Sequence, residues 1–179
     1  RCVVDAYVRG YCEALKSDAD WILEIDAGYS HDPGQIPGFL AAMRAGADCV
    51  FATRFARGGR YVGGLSRRYL ISRGGSWLAN LLLGTRLSDM TSGFQLFRRA
   101  PLEAILAQGL RSRGPFFQTE MKTHAQGWRI AEVPIDYTPS GQVVRSTALS
   151  DALQVLWALF TQRVFRRTAV PPAIALAKD

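Results

Sequence analysis

The apolar positions of the chain change period from segment to segment. Tyr7, Tyr11 and Leu15 recur at every fourth position, with Ala14 beside them, and predict a helix ending near Ser17 and Asp18. Trp21-Ile22-Leu23-Glu24-Ile25 then reads as a short buried strand that stops at Asp26. Gly28 to Gly34 is turn chemistry closed by Asp32-Pro33-Gly34. Ile36 to Ala45 reads as a helix with Phe39, Leu40 and Met43 on one face, and Asp48 to Thr53 as a second strand. Helix, strand, helix, strand in that order favours an α/β fold with a mainly parallel central sheet.

The second half keeps the alternation but is more often interrupted. Arg57 to Gly64 holds four glycines in eight residues, which predicts a mobile loop carrying Arg57 and Arg60. Leu65 to Leu83 reads as a helix that Gly74-Gly75 should bend or split. Ser92 to Arg98 is a third strand, Pro101 to Gln108 a helix, Phe116 to Gln126 another, and Ile130 to Ile135 a strand that Pro134 places at an edge. Tyr137 to Thr147 reads as polar loop, Asp151 to Arg167 as a long helix, and the residues around Pro171-Pro172 as a frayed tail. This divides the chain into a body, residues 1–150, and an amphipathic basic helix with tail, residues 151–179.

Composition narrows the class. With 179 residues, 48% hydrophobic and 21% charged, the chain has the make-up of a globular domain, and no apolar run approaches the ~18–20 residues that span a bilayer. It opens on Arg1 with a helix already under way by Tyr7, which raises the expectation of an upstream portion. The net charge is +7, mostly from arginine, a side chain suited to holding phosphate in two-pronged fashion. Nucleic acid, an anionic membrane or a phosphorylated small molecule all fit that charge. The three cysteines, Cys2, Cys12 and Cys49, have no zinc spacing, and their odd number favours a reducing compartment.

Three segments carry candidate chemistry. A buried strand delivers Asp26 to its C-terminal end, where open α/β sheets bind ligands, and a carboxylate there can hold Mg²⁺ or Mn²⁺ against a diphosphate. The alternative is a turn or capping aspartate. Asp89, Thr91 and Ser92 stand just before a strand, where Asp89 can serve a site or merely cap the turn. Glu120 falls in the first turns of a helix, as a substrate-binding candidate or as a partner of the helix dipole. His31 and His124 read as a turn residue and a solvent-facing helix residue, and Trp77 and Trp128 as packing residues rather than sugar platforms.

In order, the strand ending Asp26-Ala27 with Ser30-His31-Asp32-Pro33, then Ala52-Thr53-Arg54-Phe55 and the glycine loop, then Ser88-Asp89 with Thr91-Ser92-Gly93-Phe94, then Glu132-Val133-Pro134-Ile135 resemble the family-2 glycosyltransferases. Within them the chain looks most like the dolichol- or polyprenyl-phosphate mannosyl- and glucosyltransferase branch, from about Ala6 to Leu149. The resemblance implies a nucleotide-sugar-binding α/β fold whose first strands are absent here. It implies an inverting enzyme, a nucleotide-diphosphate sugar donor, a polyprenyl phosphate acceptor, Mg²⁺ or Mn²⁺, and a peripheral place on the cytoplasmic face of a membrane.

Residue by residue, Asp26 matches the first acid of the family's Asp-x-Asp metal motif, and the second acid position is Gly28. Ser30 falls where some relatives place a further metal-site oxygen, and Asp32 is the first candidate to stand in for the absent acid. Arg54 matches an arginine that contacts phosphate, with Arg57 and Arg60 in the loop behind it; Asp89 matches the acid lining the sugar and acceptor site. Gln95 departs from the basic residue common at its place, and Arg145-Ser146 resembles an element that closes over the donor diphosphate. On the last helix, Leu153, Leu156, Trp157, Phe160 and Val164 form an apolar face ahead of Arg163, Arg166 and Arg167; it can lie on a membrane or cover the sheet. The rival readings are a relative impaired by Gly28 that serves as a binding scaffold, and a basic nucleic-acid-binding module. Few aromatics interleave the Arg-Gly-Gly loop and no nucleic-acid motif is present, so nucleic acid is not expected as a partner.

Overall fold

The computed structural model describes residues 2–62, 66–139 and 146–165. Its first half follows the hydrophobic pattern closely: α1 (Val3–Ala14), β1 (Trp21–Glu24), a 3-10 turn (Pro33–Gln35), α2 (Ile36–Arg44) and β2 (Cys49–Thr53). The second half holds β3 (Arg60–Tyr61), α3 (Arg67–Leu83), β4 (Gln95–Arg98), α4 (Arg99–Ala107), α5 (Phe117–His124), β5 (Ile130–Pro134), β6 (Asp136–Tyr137) and α6 (Ser146–Phe165).

The main sheet has the order β1-β4-β2-β5. β4 runs antiparallel to both its neighbours, while β2 and β5 pair in parallel. Strands β1, β2 and β5 therefore share one direction, and β4 alone opposes them. As Pro134 implies, β5 takes an edge, where a missing N–H costs no ladder bond.

Strand periodicity splits the core in two. Ile22, Cys49, Phe51 and Phe97 face α1, α4 and α5, packing on Val4, Tyr11, Leu102, Ile105, Phe117 and Met121. Leu23, Val50, Ala52 and Leu96 face the other way onto Phe39 and Met43 of α2. Every residue of β2 is buried, as a strand covered on both faces requires. A third cluster joins α3 to α6 through Ala79, Leu83, Val155, Leu156 and Leu159.

Three expectations are corrected. The Gly74-Gly75 pair does not split α3, which runs unbroken from its cap, where Ser66 Oγ accepts from Tyr69 N, to Gly84 in the left-handed conformation. The described part of the glycine loop is tied down rather than mobile: Arg60 N donates to Ile135 O and Val62 N to Tyr137 O, which makes β3 a partner of β6. Trp77 is not a packing residue, since 67% of it is exposed.

Gly59 serves close approach. A Cβ at Gly59 would lie 2.7 Å from Thr53 O and 3.0 Å from the Arg54 carbonyl carbon. Both neighbours are backbone, and Thr53 O already accepts from Ile135 N at 2.9 Å. Gly59→Ala is expected to cost ~1–3 kcal/mol through forced backbone shifts, read as a lowered urea midpoint.

Candidate active site

The C-terminal ends of β1, β2 and β5 meet at one edge of the sheet, and the segment leading into β4 arrives at the same edge. Antiparallel register sets Glu24 directly across from Gln95. On that face Glu24 receives the Tyr11 hydroxyl of α1, Gln118 Nε2 of α5 at 2.5 Å and Gln95 Nε2 at 3.3 Å. Gln95 Nε2 also donates to Gln118 Oε1. Burial, with the Asp26 charge nearby, pushes the Glu24 carboxyl up to about 8 against those hydrogen bonds.

Asp26 lies two residues past Glu24, and its side chain is 39% exposed. The Tyr7 hydroxyl reaches its Oδ1 at 3.5 Å, and His31 Nδ1 stands 3.6 Å from its Oδ2. His31 is buried, which corrects its reading as a turn residue. Its ring packs between Phe94 and Tyr137, with centroids 5.3 and 5.4 Å away. Burial lowers its pKa against the pull of Asp26, and it also feels the charges of Arg54, Asp89 and Lys122. These five side chains are therefore electrostatic neighbours at one edge.

Arg54 and Asp89 form the buried centre of the arrangement. Arg54 donates from Nε to Asp89 Oδ2 at 2.6 Å and from Nη2 to Oδ1 at 2.8 Å. Its backbone N reaches Oδ2 at 3.2 Å, and Nη2 also meets Thr91 Oγ1 at 2.5 Å. The guanidinium lies over the rings of Phe55 and Tyr137, at 5.0 and 4.9 Å. Burial alone would raise the Asp89 pKa; the Arg54 hydrogen bonds and charge outweigh it and hold the carboxyl at about 2.

The two-pronged face of Arg54 expected to grip phosphate is filled by Asp89, and Asp89, expected to line the sugar site, has no exposed surface. Lys122 is also fully buried; its Nζ donates to Asp89 O at 2.8 Å, and burial pushes its pKa down to about 8. Glu132 fastens the same loop to β5, accepting from Ser88 N at 2.9 Å and Ser88 Oγ at 2.7 Å.

The other candidates stand apart. Glu120 is buried and accepts from Arg111 N, Ser112 N and Ser112 Oγ at 2.9, 3.0 and 2.7 Å, so it pins the loop after α4 rather than facing a substrate. His124 is not solvent-facing; its side chain is 12% exposed and 3.9 Å from Glu120. Arg60 pairs with Asp136 at the surface, and Arg57 is exposed. Asp32 is exposed and caps the 3-10 turn, its Oδ1 accepting from Gly34 N at 2.8 Å; Ser30 is buried. Arg145 lies outside the described residues, and of Ser146 only the helical backbone is described.

Among the described residues no three His, Cys, Asp or Glu side chains gather as a metal cluster. Asp26 and His31 do fit a divalent cation as two of its ligands. The carboxylate is open to solvent, and the buried Nδ1 facing it has no hydrogen-bond partner among the described residues. Sequence reasoning missed His31, Gln118 and Lys122. The one available signal was Glu24, an acid inside an otherwise apolar strand.

The chain has the GT-A glycosyltransferase fold. Glucosyl-3-phosphoglycerate synthase of Mycobacterium tuberculosis, in complex with Mn²⁺, uridine-diphosphate-glucose and phosphoglyceric acid, matches it with TM-score 0.58 over 94% of this chain and 55% of that one, at 17% identity. The same synthase with phosphoglyceric acid alone gives TM-score 0.57, over 89% of this chain and 54% of that one, at 18% identity.

In sequence the chain is similar to the undecaprenyl-phosphate mannosyltransferase of Micrococcus luteus, 38% identical over 134 residues that cover 74% of this chain and 55% of that protein. It is also similar to the polyprenol monophosphomannose synthase of Mycolicibacterium smegmatis, 33% identical over 135 residues, 74% of this chain and 51% of that protein. The resemblance drawn from the motifs is borne out by these relatives. The chain spans about half the length of the curated relatives it matches. No protein-family model matches it.

Proposed function

We propose that this chain is part of the catalytic domain of an inverting glycosyltransferase. It moves a hexose from a nucleotide-diphosphate sugar to a polyprenyl phosphate at the cytoplasmic face of a membrane. The observation that carries this reading is Asp26, an open carboxylate at the C-terminal end of β1 in a chain 38% identical to a lipid-phosphate mannosyltransferase.

The acceptor phosphate is already anionic, so the site needs orientation more than a strong base. Attack on the anomeric carbon in one displacement inverts its configuration as the nucleoside diphosphate leaves. Mg²⁺ or Mn²⁺ held at Asp26 and His31 would supply positive charge against that diphosphate. The chain's own part is a rigid edge. The Arg54–Asp89 pair and Glu132 clamp residues 88–91, and Lys122 and Arg54 set positive charge beneath the site.

The membrane surface is supported by α3 and α6. No described helix is long and apolar enough to cross a membrane. Yet Leu70, Trp77 and Leu81 on α3, and Leu153, Trp157 and Val164 on α6, remain exposed although the two helices pack together. α3 carries three arginines and no acid. The one acid of α6, Asp151, is turned to the backbone N–H groups of Arg113 and Gly114. Such faces suit anionic headgroups. Arg166 and Arg167 lie outside the described residues.

The test supplies the whole protein with radiolabelled nucleotide-diphosphate hexoses and polyprenyl phosphate in anionic vesicles. A labelled lipid-phosphate hexose of inverted configuration is expected. Transfer to soluble acceptors but never to the lipid phosphate would overturn the acceptor assignment.

A further inference from the structure

We infer that His31 is the second protein ligand of the cation site, paired with Asp26 where Gly28 supplies no carboxylate, and that this pair favours Mn²⁺ over Mg²⁺. The inference rests on the transferase reading for the site's purpose, but on His31 itself for its chemistry.

The loop after β1 is built to return His31 to Asp26. Tyr29 is the one non-glycine among the described residues with left-handed backbone, at φ 58°, and it turns the chain between Gly28 and Ser30. His31 then makes an isolated antiparallel bridge with Tyr137, which fixes its backbone, while Phe94 and Tyr137 hold the ring. The side chain is 1% exposed.

Buried polar atoms in proteins have partners, but among the described residues Nδ1 has none. The group it faces is Asp26 Oδ2 at 3.6 Å, beyond a good hydrogen bond but within the span of two ligands on one ion. The space beside Gly28 is open, since a Cβ there would meet nothing within 4 Å, so no other side chain among the described residues stands at the Cβ position of the absent acid. The unexplained nitrogen and the missing oxygen donor occur in the same loop.

The exchange alters preference. Mg²⁺ demands oxygen donors in near-ideal octahedral geometry, whereas first-row transition ions accept imidazole readily. One carboxylate with one imidazole also places less negative charge on the ion than two carboxylates do, leaving more of the binding to diphosphate oxygens.

The test is electron paramagnetic resonance of Mn²⁺ added alone to the whole protein. Pulsed spectra should show ¹⁴N coupling from a directly bound imidazole. His31→Phe keeps a ring between Phe94 and Tyr137 but removes the nitrogen. It should abolish that coupling and weaken Mn²⁺ binding by about 10-fold or more, with a thermal melt confirming the fold. Gly28→Asp should raise Mg²⁺ affinity more than Mn²⁺ affinity. Bound Mn²⁺ without nitrogen coupling in the unmodified protein would overturn the inference whether or not His31→Phe folds, and so would unchanged Mn²⁺ affinity in a folded His31→Phe. Nitrogen coupling in a protein that transfers no hexose would sustain the cation site and overturn the transferase reading. Hexose transfer with oxygen-only coupling would do the reverse.

Discussion

Asp26→Ala is expected to reduce hexosyl transfer by about 10²-fold or more, equivalent to about 2.7 kcal/mol of lost transition-state stabilisation. The fold should survive. Asp26 is half-buried, and its two polar neighbours, the Tyr7 hydroxyl and His31 Nδ1, sit at 3.5 and 3.6 Å, too far to contribute much stability. Removal of the carboxylate also frees no closed cavity in the core, because the Asp26 side chain is 39% exposed. What is lost is the open anionic oxygen at the end of β1. Turnover and melting temperature measured on the same preparation decide the matter. A folded Asp26→Ala protein with near-normal turnover would remove Asp26 from the site and with it the main support for the transferase reading.

How far the sequence could carry this reading depends on where each side chain points. Elements followed from period and punctuation: β2 from its apolar run and the edge position of β5 from Pro134. The strand opposing the others was not legible, because β4 reads the same in either direction. α5 shows the limit more sharply. Gln118, Glu120 and Lys122 are polar or charged, yet all three are buried: Gln118 and Lys122 on partners distant in sequence, Glu24 and Asp89, and Glu120 on the nearby 111–112 loop. Polarity predicts exposure only when no such partner exists, and the partner is fixed by topology. The motifs located the right edge through Asp26, Arg54 and Asp89. They did not reveal that Arg54 and Asp89 satisfy each other, since adjacency across 35 residues is a property of the β2 and β4 register. Nor did they reveal that His31 turns inward.

The mutual satisfaction of Arg54 and Asp89 leads to the larger stability effect. Arg54→Ala leaves a buried carboxylate with its cation removed, and Asp89→Ala leaves a buried guanidinium; each is expected to cost ~3–5 kcal/mol. The double variant should cost clearly less than the sum of the two, because a pair removed together leaves neither charge stranded. Arg54→Lys should rescue only part of the loss, as an ammonium cannot occupy Nε and Nη2 positions at once. The pH dependence has a definite sign. Asp89 is held at about 2 in the folded chain against an ordinary value of 3.8, so its contribution is present above pH ~4 and is lost as pH falls through about 2. The acid limb of the wild-type stability curve should therefore contain a component between about pH 4 and 2 that Asp89→Asn lacks. Urea melts across that range, with acceptor kinetics at neutral pH, separate this from phosphate binding. If Arg54→Ala keeps its urea midpoint and instead raises the acceptor KM, the guanidinium exchanges Asp89 for the lipid phosphate during turnover, and the pair is a latch rather than a strut.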